Sequence, residues 1–333
     1  MSGKTLVINT GGTFGMVEGP VGLVPAPGLN ARIEQQLPEL AGRFDLIELE
    51  PLIDSSNLMP SHWQRITEAV EHHGQNYTGV IVIHGTDTLA YSASALSFTC
   101  GGMNLPIVVT GSQKPLEQAG SDASTNLTAS FELMESAPSA GVYVCFGGYV
   151  LQGNRVRKIS VQSYQGFDSP NAARLGLSEP SLFMAEGAAP FAGERFKGAL
   201  QFNDQAVATL LIYPGMPSTL IEALSQSGCE AVILLSYGSG NLPSEDRALM
   251  AALARAVSAG VLIVNLTQCA TGYVEQGVYE AGSELQRLGA LDGFDLTPEA
   301  AFARMHYLLA TCKNKRAVAA AWPQPLCGEL TVR

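Results

Sequence analysis

Short, almost uninterrupted apolar runs rich in β-branched residues recur along the first half of the chain. They lie at residues 5–9, 80–84, 107–110 and 142–146, and they alternate with segments of helical periodicity at 61–72, 89–100 and 126–135. A strand that is apolar on both sides is buried on both faces, which is typical of a parallel sheet covered by helices. The pattern therefore predicts an α/β domain over residues 1–185, with a mostly parallel sheet flanked by helices.

The same alternation restarts after residue 206 and predicts a second, smaller α/β domain with a parallel sheet. Strands are predicted at 207–213, 231–236 and 261–266, and helices at 218–227, 244–259 and 297–311, with Ser244 and Thr297 as N-caps. Between the halves the periodicity fades and Ala, Gly and Pro accumulate, which predicts a linker. We thus predict domains at 1–185 and 207–333 joined by the linker 186–206.

The composition excludes several classes of protein. Lys and Arg number 19 against 30 Asp and Glu, a net charge of −11, whereas nucleic-acid binding normally requires a basic patch. The N-terminal apolar run is too short for a signal peptide. The uncharged stretch 88–113 is interrupted by Gly101-Gly102 and Pro106, so a helix followed by a strand explains it better than a membrane span. We expect a soluble cytoplasmic protein that binds neither nucleic acid nor a membrane.

Cysteine and histidine spacing indicates neither a disulfide framework nor a metal site. The six cysteines are far apart and include no C-x-x-C pair, so we expect reduced, mostly buried thiols. The five histidines are scattered except for His72-His73, which is not the spacing of zinc ligands.

The polar loops that follow the strands are the candidates for function, because open α/β sheets bind ligands outside the carboxyl ends of their strands. The first loop, Thr10-Gly-Gly-Thr-Phe-Gly-Met16, has neither G-x-G-x-x-G spacing nor a P-loop lysine. Its glycines would let the backbone approach a substrate and offer N–H donors beside a raised hydroxyl. The loop is therefore either a tight turn or the position of a threonine nucleophile, Thr13.

Two further loops carry candidate binding groups. In His84-Gly-Thr-Asp-Thr88, Asp87 either caps the next helix while Thr86 faces the ligand, or holds a substrate ammonium as an ionised carboxylate. In Asp54-Ser-Ser-Asn57, Ser55 and Ser56 are either cap residues or donors to a substrate carboxylate.

Ser112 and Lys158 complete the candidates. Ser112 lies in a polar loop that follows the predicted strand at 107–110. Lys158 is either a solvated surface charge or, beside a desolvated carboxylate, a group that helps to deprotonate a hydroxyl.

Together these motifs resemble the bacterial-type L-asparaginase family, most closely its cytoplasmic type I branch, over essentially the whole chain. The matching segments are 10–16 (TGGTFGM), 54–56 (DSS), 84–98 (HGTDTLAYSASALSF), 109–113 (VTGSQ), Ser121-Asp122, Asn126-Leu127, Asn154-Arg155, Lys158, 166–171 (GFDSPN), 236–243 (SYGSGNLP), 264–269 (VNLTQC) and 328–330 (GEL). The resemblance implies a two-domain α/β fold and hydrolysis of the side-chain amide of L-asparagine to L-aspartate and ammonia. It also implies a threonine acyl-enzyme and the use of no metal and no organic cofactor.

The resemblance also implies a role for each candidate residue. Thr13 matches the nucleophile. Thr86 matches a second catalytic threonine that acts with Asp87 and Lys158 on the attacking water. The residues implied in binding of the substrate are Gly12, Ser55, Ser56, Thr86, Asp87 and Ser112, with Asp87 on the α-ammonium and Ser112 near the amide.

One departure from the family pattern concerns the nucleophile. Many bacterial members have a tyrosine in the loop after the first threonine, and Leu23 occupies that place here. A hydroxyl supplied by a neighbouring subunit could substitute, and Tyr279 is the candidate, ahead of Tyr273. Some type I members are controlled by effectors through regions that contain Arg157 and Leu235 in this chain. Because this chain departs from the family pattern there, we do not extend allosteric control to it.

The family implies an active site completed by a neighbouring subunit, so we expect a homo-oligomer, at least a dimer, with a tetramer as a pair of tight dimers. Two alternatives to an asparaginase stay open. One is an amidohydrolase that prefers glutamine or a D-amide, and the other is a non-catalytic amino-acid sensor on the same fold.

Overall fold

The computed structural model describes residues 3–178, 182–192, 195–196, 198–275 and 280–331. The chain divides into two units, Met1–Arg195 and Phe196–Arg333. This division falls inside the predicted linker 186–206, and the limits of the two domains on either side stay a prediction.

Unit 1 is built around one large sheet. Its strands are β1 (Thr5–Asn9), β2 (Met16–Gly19), β3 (Gly22–Pro25), β4 (Phe44–Glu48), β5 (Val80–Ile83), β6 (Pro106–Thr110), β7 (Gly141–Phe146), β8 (Tyr149–Gln152), β9 (Arg157–Lys158), β10 (Phe167–Asp168), β11 (Gly176–Leu177) and β12 (Phe183–Met184), and its helices are α1 (Leu29–Gln36), α2 (Pro60–His73), α3 (Leu89–Thr99) and α4 (Ala123–Glu135). Over the described residues the strand order is β12-β11-β8-β7-β6-β5-β1-β4. The five strands from β4 to β7 are parallel, and β8, β11 and β12 add an antiparallel edge. The pairs β2–β3 and β9–β10 are separate antiparallel ribbons.

Side chains of the central strands alternate between two cores, which explains why these strands are apolar throughout. In β1, Val7 packs on one face with α1 and α4, whereas Leu6 and Ile8 pack on the other face with α2 and α3. In β5, Ile81 packs in the same core as Val7, and Val82 packs in the same core as Leu6 and Ile8. The predicted mostly parallel sheet with helices on both faces is confirmed.

Unit 2 holds a smaller parallel sheet. Its elements are β13 (Val207–Leu211), α5 (Thr219–Gln226), β14 (Ala231–Ser236), α6 (Arg247–Ser258), β15 (Leu262–Thr267), α7 (Glu280–Leu288), β16 (Leu291–Asp292), α8 (Pro298–Thr311) and α9 (Lys315–Ala321). Its described strands pair in chain order and are all parallel, which confirms the predicted second α/β fold.

One of the two predicted N-caps in unit 2 is wrong. Thr297 caps α8, and its side chain accepts from the N–H of Ala300 at 3.1 Å. Ser244 does not cap α6, because Asp246 accepts from the N–H groups of Ala248 and Leu249, each at 3.0 Å. The negative charge of Asp246 is favoured at the positive end of the helix, so the helix begins later than the periodicity suggests.

A fully buried ion pair fastens the C-terminal segment to α8. Arg304 Nη1 lies 3.0 Å from Glu329 Oε1, and both side chains are 0% exposed. The Glu329 carboxylate also accepts from the N–H groups of Leu326 and Cys327, each at 2.8 Å. Arg304 Nη2 donates to the carbonyl of Gln324 at 2.5 Å. Burial lowers the pKa of Arg304, whereas the Glu329 charge opposes that shift.

We expect Glu329→Gln to lower the free energy of unfolding of unit 2 by about 3–5 kcal/mol, because it leaves a buried guanidinium without its counter-charge. Glutamine keeps one oxygen that can accept from both N–H groups, as Oε2 does, so the loss is that of the negative charge and of the acceptor facing Arg304. Urea unfolding followed by Trp322 fluorescence measures it, with Trp63 replaced by Phe to remove the other tryptophan. The double variant Arg304→Met/Glu329→Gln should lose less than the sum of the two single variants. If the loss of free energy of unfolding in the double variant equalled the sum of the losses in the two single variants, Arg304 and Glu329 would not be energetically coupled.

Four of the six cysteines confirm the expectation of mostly buried thiols. Cys100, Cys145, Cys229 and Cys327 are buried, and burial raises the pKa of Cys100 and of Cys145 to about 12. Across the described residues, no three His, Cys, Asp or Glu side chains are grouped so that they could hold a metal ion. Among the helices described above, none is both long enough and apolar enough to cross a membrane.

Candidate active site

Neighbouring parallel strands end in register at one edge of the unit 1 sheet. Asn9, the last residue of β1, pairs with Glu48 of β4 on one side and with Ile83 of β5 on the other. Ile83 in turn pairs with Thr110 at the end of β6. The strand order reverses between β1 and β5, since the chain passes from β1 to β4 and then returns to the opposite side. Such a switch point is where open α/β sheets bind ligands.

Two glycines let the loops after β1, β4 and β5 touch one another. Gly12 has φ +89°, and a Cβ built there would lie 2.4 Å from the Cα of Gly85. A Cβ on Gly85 would lie 2.4 Å from the Oγ of Ser55. These distances are far below van der Waals contact, so neither position accommodates a side chain. The contact places the backbones of Thr13 and Thr86, the residues that follow the two glycines, side by side with Ser55.

Lys158 joins two of the predicted catalytic side chains. Its Nζ donates to Thr86 Oγ1 at 2.9 Å and to Asp87 Oδ1 at 2.8 Å. Thr86 is 8% exposed, whereas the Asp87 side chain is 59% exposed. Because an ammonium group only donates, the Thr86 hydroxyl keeps its own proton to donate elsewhere. Asp87 does not cap α3, whose N-cap is Thr88, so the first of its two predicted alternatives is not observed.

Thr13 begins a short 3₁₀ helix, Thr13–Gly15, and is half-buried. Within the described ranges its hydroxyl makes no hydrogen bond, so no base is in contact with it there. Leu23 lies opposite Glu18 in the β2–β3 hairpin, and residues 16–25 include no hydroxyl side chain. Tyr279, the predicted substitute, lies outside the described residues.

The three predicted serines lie in different environments. Ser55 is 5% exposed, whereas Ser56 is exposed and its N–H donates to Asp54 Oδ1 at 3.2 Å. Ser112 is 1% exposed, and its hydroxyl donates to the carbonyl of Lys114 at 2.6 Å. In this structure the Ser112 hydroxyl therefore stabilises its own loop. The assignment of all three serines to substrate binding stays a prediction.

His84, to which sequence reasoning gave no role, supports the loop that carries Thr86. Its Nδ1 lies 2.8 Å from the carbonyl oxygen of Gly85, and its Nε2 lies 2.9 Å from Ser92 Oγ, to which Trp63 Nε1 donates at 3.2 Å. A carbonyl only accepts, so we assign the proton to Nδ1. Burial lowers the pKa of His84 to about 4, and the imidazole is neutral at physiological pH. The sequence patterns pointing to it were its location directly after a buried strand and at the start of the matching segment 84–98.

Acid should destabilise the protein through His84. Between its ordinary pKa of 6.5 and its folded pKa of about 4, the unfolded chain binds a proton that the folded chain does not. The free energy of unfolding therefore decreases as the pH is lowered through this window, by at most about 1.4 kcal/mol per pH unit. Urea unfolding followed by Trp63 fluorescence measures the slope. His84→Gln, which does not titrate, should show a shallower slope, and equal slopes in the two proteins would refute the assignment.

Comparison with known proteins gives the family of the chain. Residues 4–186 match the family described as Asparaginase, N-terminal, and residues 206–321 match the Glutaminase/Asparaginase C-terminal domain. L-asparaginase 1 of Escherichia coli strain K12 is 35% identical over 331 residues, which are 98% of this chain and 97% of that protein. The chain belongs to the asparaginase family and is an amidohydrolase, and the resemblance drawn from the motifs is confirmed.

Solved structures agree with this assignment. L-asparaginase I of Vibrio cholerae superposes with a TM-score of 0.87 at 34% identity and covers 99% of each chain. The thermostable L-asparaginase of Thermococcus kodakarensis superposes with a TM-score of 0.90 at 25% identity, over 99% of this chain and 100% of that one. The fold described above is therefore the fold of the family.

Proposed function

We propose that the protein hydrolyses the side-chain amide of L-asparagine to L-aspartate and ammonia through an acyl-enzyme on Thr13. The observation that carries this proposal is the hydrogen-bonded group of Lys158, Thr86 and Asp87 beside the Thr13 turn, in a chain of the asparaginase family. An unactivated hydroxyl is a poor nucleophile, so it needs such a preorganised polar site and close positioning.

In the first half of the reaction, Thr13 Oγ1 attacks the amide carbon. A C–O bond forms, the C–N bond breaks, and the hydroxyl proton ends on the leaving nitrogen, which departs as ammonia. Negative charge develops on the carbonyl oxygen during the attack. Backbone N–H groups of Thr13 and Thr86 are the proposed donors to it, and preorganised donors of this kind commonly contribute several kcal/mol of transition-state stabilisation.

In the second half, water attacks the ester. Lys158 holds the Thr86 oxygen by a hydrogen bond at 2.9 Å, so the Thr86 side chain has a fixed orientation toward the incoming water. Thr86 and Lys158 position this water, and its proton passes by way of the Thr86 hydroxyl to Thr13 Oγ1 as aspartate leaves. The net change is asparagine plus water to aspartate plus ammonia.

The amino-acid head group of the substrate fits the remaining residues. Asp87 is more than half exposed, and one of its oxygens is bonded to Lys158, so its carboxylate can accept from a substrate ammonium. Ser55 and Ser56 lie on the adjacent loop and are the proposed donors to the α-carboxylate. Gly12 brings its backbone to the same point, and Ser112 is proposed near the amide.

Ammonia release by the purified protein tests the proposal, with L-asparagine, L-glutamine and D-asparagine compared by kcat/KM. We expect L-asparagine to be preferred. L-Glutamine is the second candidate substrate, since the C-terminal match is to a domain described as Glutaminase/Asparaginase. Its side chain is longer by one methylene group, which changes selectivity by only about 1–3 kcal/mol. If calorimetry shows that the protein binds aspartate but it hydrolyses no amide, the protein is an amino-acid sensor and the proposed enzymatic function is wrong.

We also propose that the protein acts in the cytoplasm as a homo-oligomer, at least a dimer and in full a tetramer, with Tyr279 of a neighbouring subunit completing the Thr13 site. Light scattering of the active protein tests the assembly. A strictly monomeric active enzyme contradicts the shared site, and full activity of Tyr279→Phe contradicts the role of that hydroxyl.

A further inference from the structure

Arg32 of α1 joins three segments around the Thr13 turn. Its Nη1 donates to the carbonyl of Gly15 at 2.9 Å and to that of Ala26 at 3.4 Å. Its Nε and Nη2 donate to the two carboxylate oxygens of Glu117 at 2.6 and 2.8 Å. Gly15 and Ala26 flank the β2–β3 hairpin, and Glu117 belongs to the loop after β6. One guanidinium group thus holds both stems of the hairpin and a second loop of the site.

The surrounding packing fixes α1 against the same turn. Phe14, Leu29 and Ile33 are each 0% exposed and share one core. The N–H of Leu116 donates to the carbonyl of Phe14 at 3.1 Å, next to the contact made by Glu117. The loop after β6 is therefore attached to the Thr13 turn at two successive residues, and Arg32 supplies the charged attachment.

This arrangement differs from an ordinary surface ion pair, which holds two exposed side chains and contributes little. The Arg32 side chain is only 17% exposed, and half of its contacts are to backbone carbonyl groups. The planar fork of arginine matches both oxygens of a carboxylate while a further N–H reaches a carbonyl, which lysine cannot reproduce. The Arg32 guanidinium holds the pKa of Glu117 below its usual range, so the Glu117 carboxylate stays ionised at neutral pH.

We propose that Arg32 is a positioning residue for the reaction, which fixes the Thr13 turn through Gly15 and holds both hairpin stems to the loop that carries Glu117. The kinetic part of this inference rests on the proposed function. Attack requires the Thr13 oxygen within about 3–3.5 Å of the amide carbon, and a displacement of about 1 Å can cost 10²-fold in rate. The residues proposed to hold the head group of the substrate, Ser55, Ser56 and Asp87, lie on the loops after β4 and β5, which Arg32 does not contact, so binding of the head group should be largely retained.

The kinetic test is a comparison of Arg32→Met and Arg32→Lys. We expect Arg32→Met to lower kcat by about 10- to 100-fold with KM changed by less than about threefold, and Arg32→Lys to recover only part of kcat. Glu117→Gln, which keeps the shape of the side chain, should show a smaller loss of the same kind. A rise in KM with unchanged kcat, or full recovery by lysine, would overturn the positioning role.

Lys4→Met is the matched control. Lys4 Nζ forms an ion pair with Asp45 Oδ1 at 2.8 Å next to the amino end of β1, the end opposite Thr13. Its loss should leave kcat and KM unchanged. If Lys4→Met lowered kcat as much as Arg32→Met does, the effect would follow from loss of any ion pair in unit 1, and the proposal would be wrong.

A second readout does not depend on activity. We expect backbone amides of residues 16–25 to exchange with solvent deuterium faster in Arg32→Met and in Glu117→Gln than in the parent protein, and at the parent rate in Lys4→Met. Unchanged exchange in the hairpin would overturn the inference. Failure of the parent protein to hydrolyse any amide would remove the proposed function, while faster exchange in the hairpin would still support Arg32 as its anchor.

Discussion

Thr13→Ala should lower kcat for asparagine by at least about 10³-fold, with KM changed by less than about tenfold. The substitution removes the proposed nucleophile but leaves the loops of Ser55 and Asp87, which we propose hold the head group of the substrate. Removal of a nucleophile leaves the residual rate that binding and oxyanion stabilisation supply, which is why a small activity should persist. Steady-state ammonia release measures the effect.

Two further variants at this position separate chemistry from packing. Thr13→Ser keeps the hydroxyl and should retain measurable turnover, whereas Thr13→Val keeps the shape of the side chain and should be as inactive as alanine. Mass spectrometry of rapidly quenched parent protein should show an aspartyl adduct on the peptide that contains Thr13. Turnover by Thr13→Val within tenfold of the parent rate would exclude Thr13 as the nucleophile.

Lys158→Met should lower kcat by about 10²- to 10⁴-fold, the range expected when a group that assists proton transfer is removed. Its Nζ contacts Thr86 and Asp87 at hydrogen-bond distance, so methionine leaves the Thr86 hydroxyl without its donor. KM should change less than kcat, because the Asp87 carboxylate remains and loses a competing partner.

Lys114→Met is the matched control for Lys158. Lys114 lies on the loop after β6 with its Nζ 5.5 Å from the centre of the Tyr164 ring, and it belongs to no part of the proposed proton-transfer group. We expect kcat of Lys114→Met within a few-fold of the parent value. Parent-like turnover of Lys158→Met would instead mean that Lys158 only stabilises the fold, a role that urea unfolding of the same variant would detect.

The helices and strands could be located from the sequence because burial imposes a period on it. The predicted strand at 231–236 coincides with β14, and the predicted strand at 5–9 coincides with β1. The helix ends were less predictable, as at Asp246, because a cap depends on which of several nearby polar side chains reaches the free N–H groups.

The candidate site was predictable where its residues occupy motifs directly after strands. Thr86 and Asp87 follow β5, the resemblance grouped them with Lys158 of β9, and the structure brings these three into contact. The environment of Ser112 was not predictable, because nothing in a polar loop shows whether a hydroxyl faces a ligand or its own backbone. His84 was missed for a related reason, since its role is defined only by what surrounds it.

Local patterns along the chain were enough to predict the two α/β folds, the family and the residue types of the site, because apolar periodicity and glycine-threonine motifs are local properties. Which loops meet depends on how distant segments pack. Gly12 and Gly85 lie far apart in sequence and touch because β1 and β5 are neighbours at the point where strand order reverses. Arg32 and Glu117, 85 residues apart, pair because the loop after β6 reaches the Thr13 turn. Neighbours of this kind depend on the order of strands in the sheet, and no local pattern in the sequence records that order.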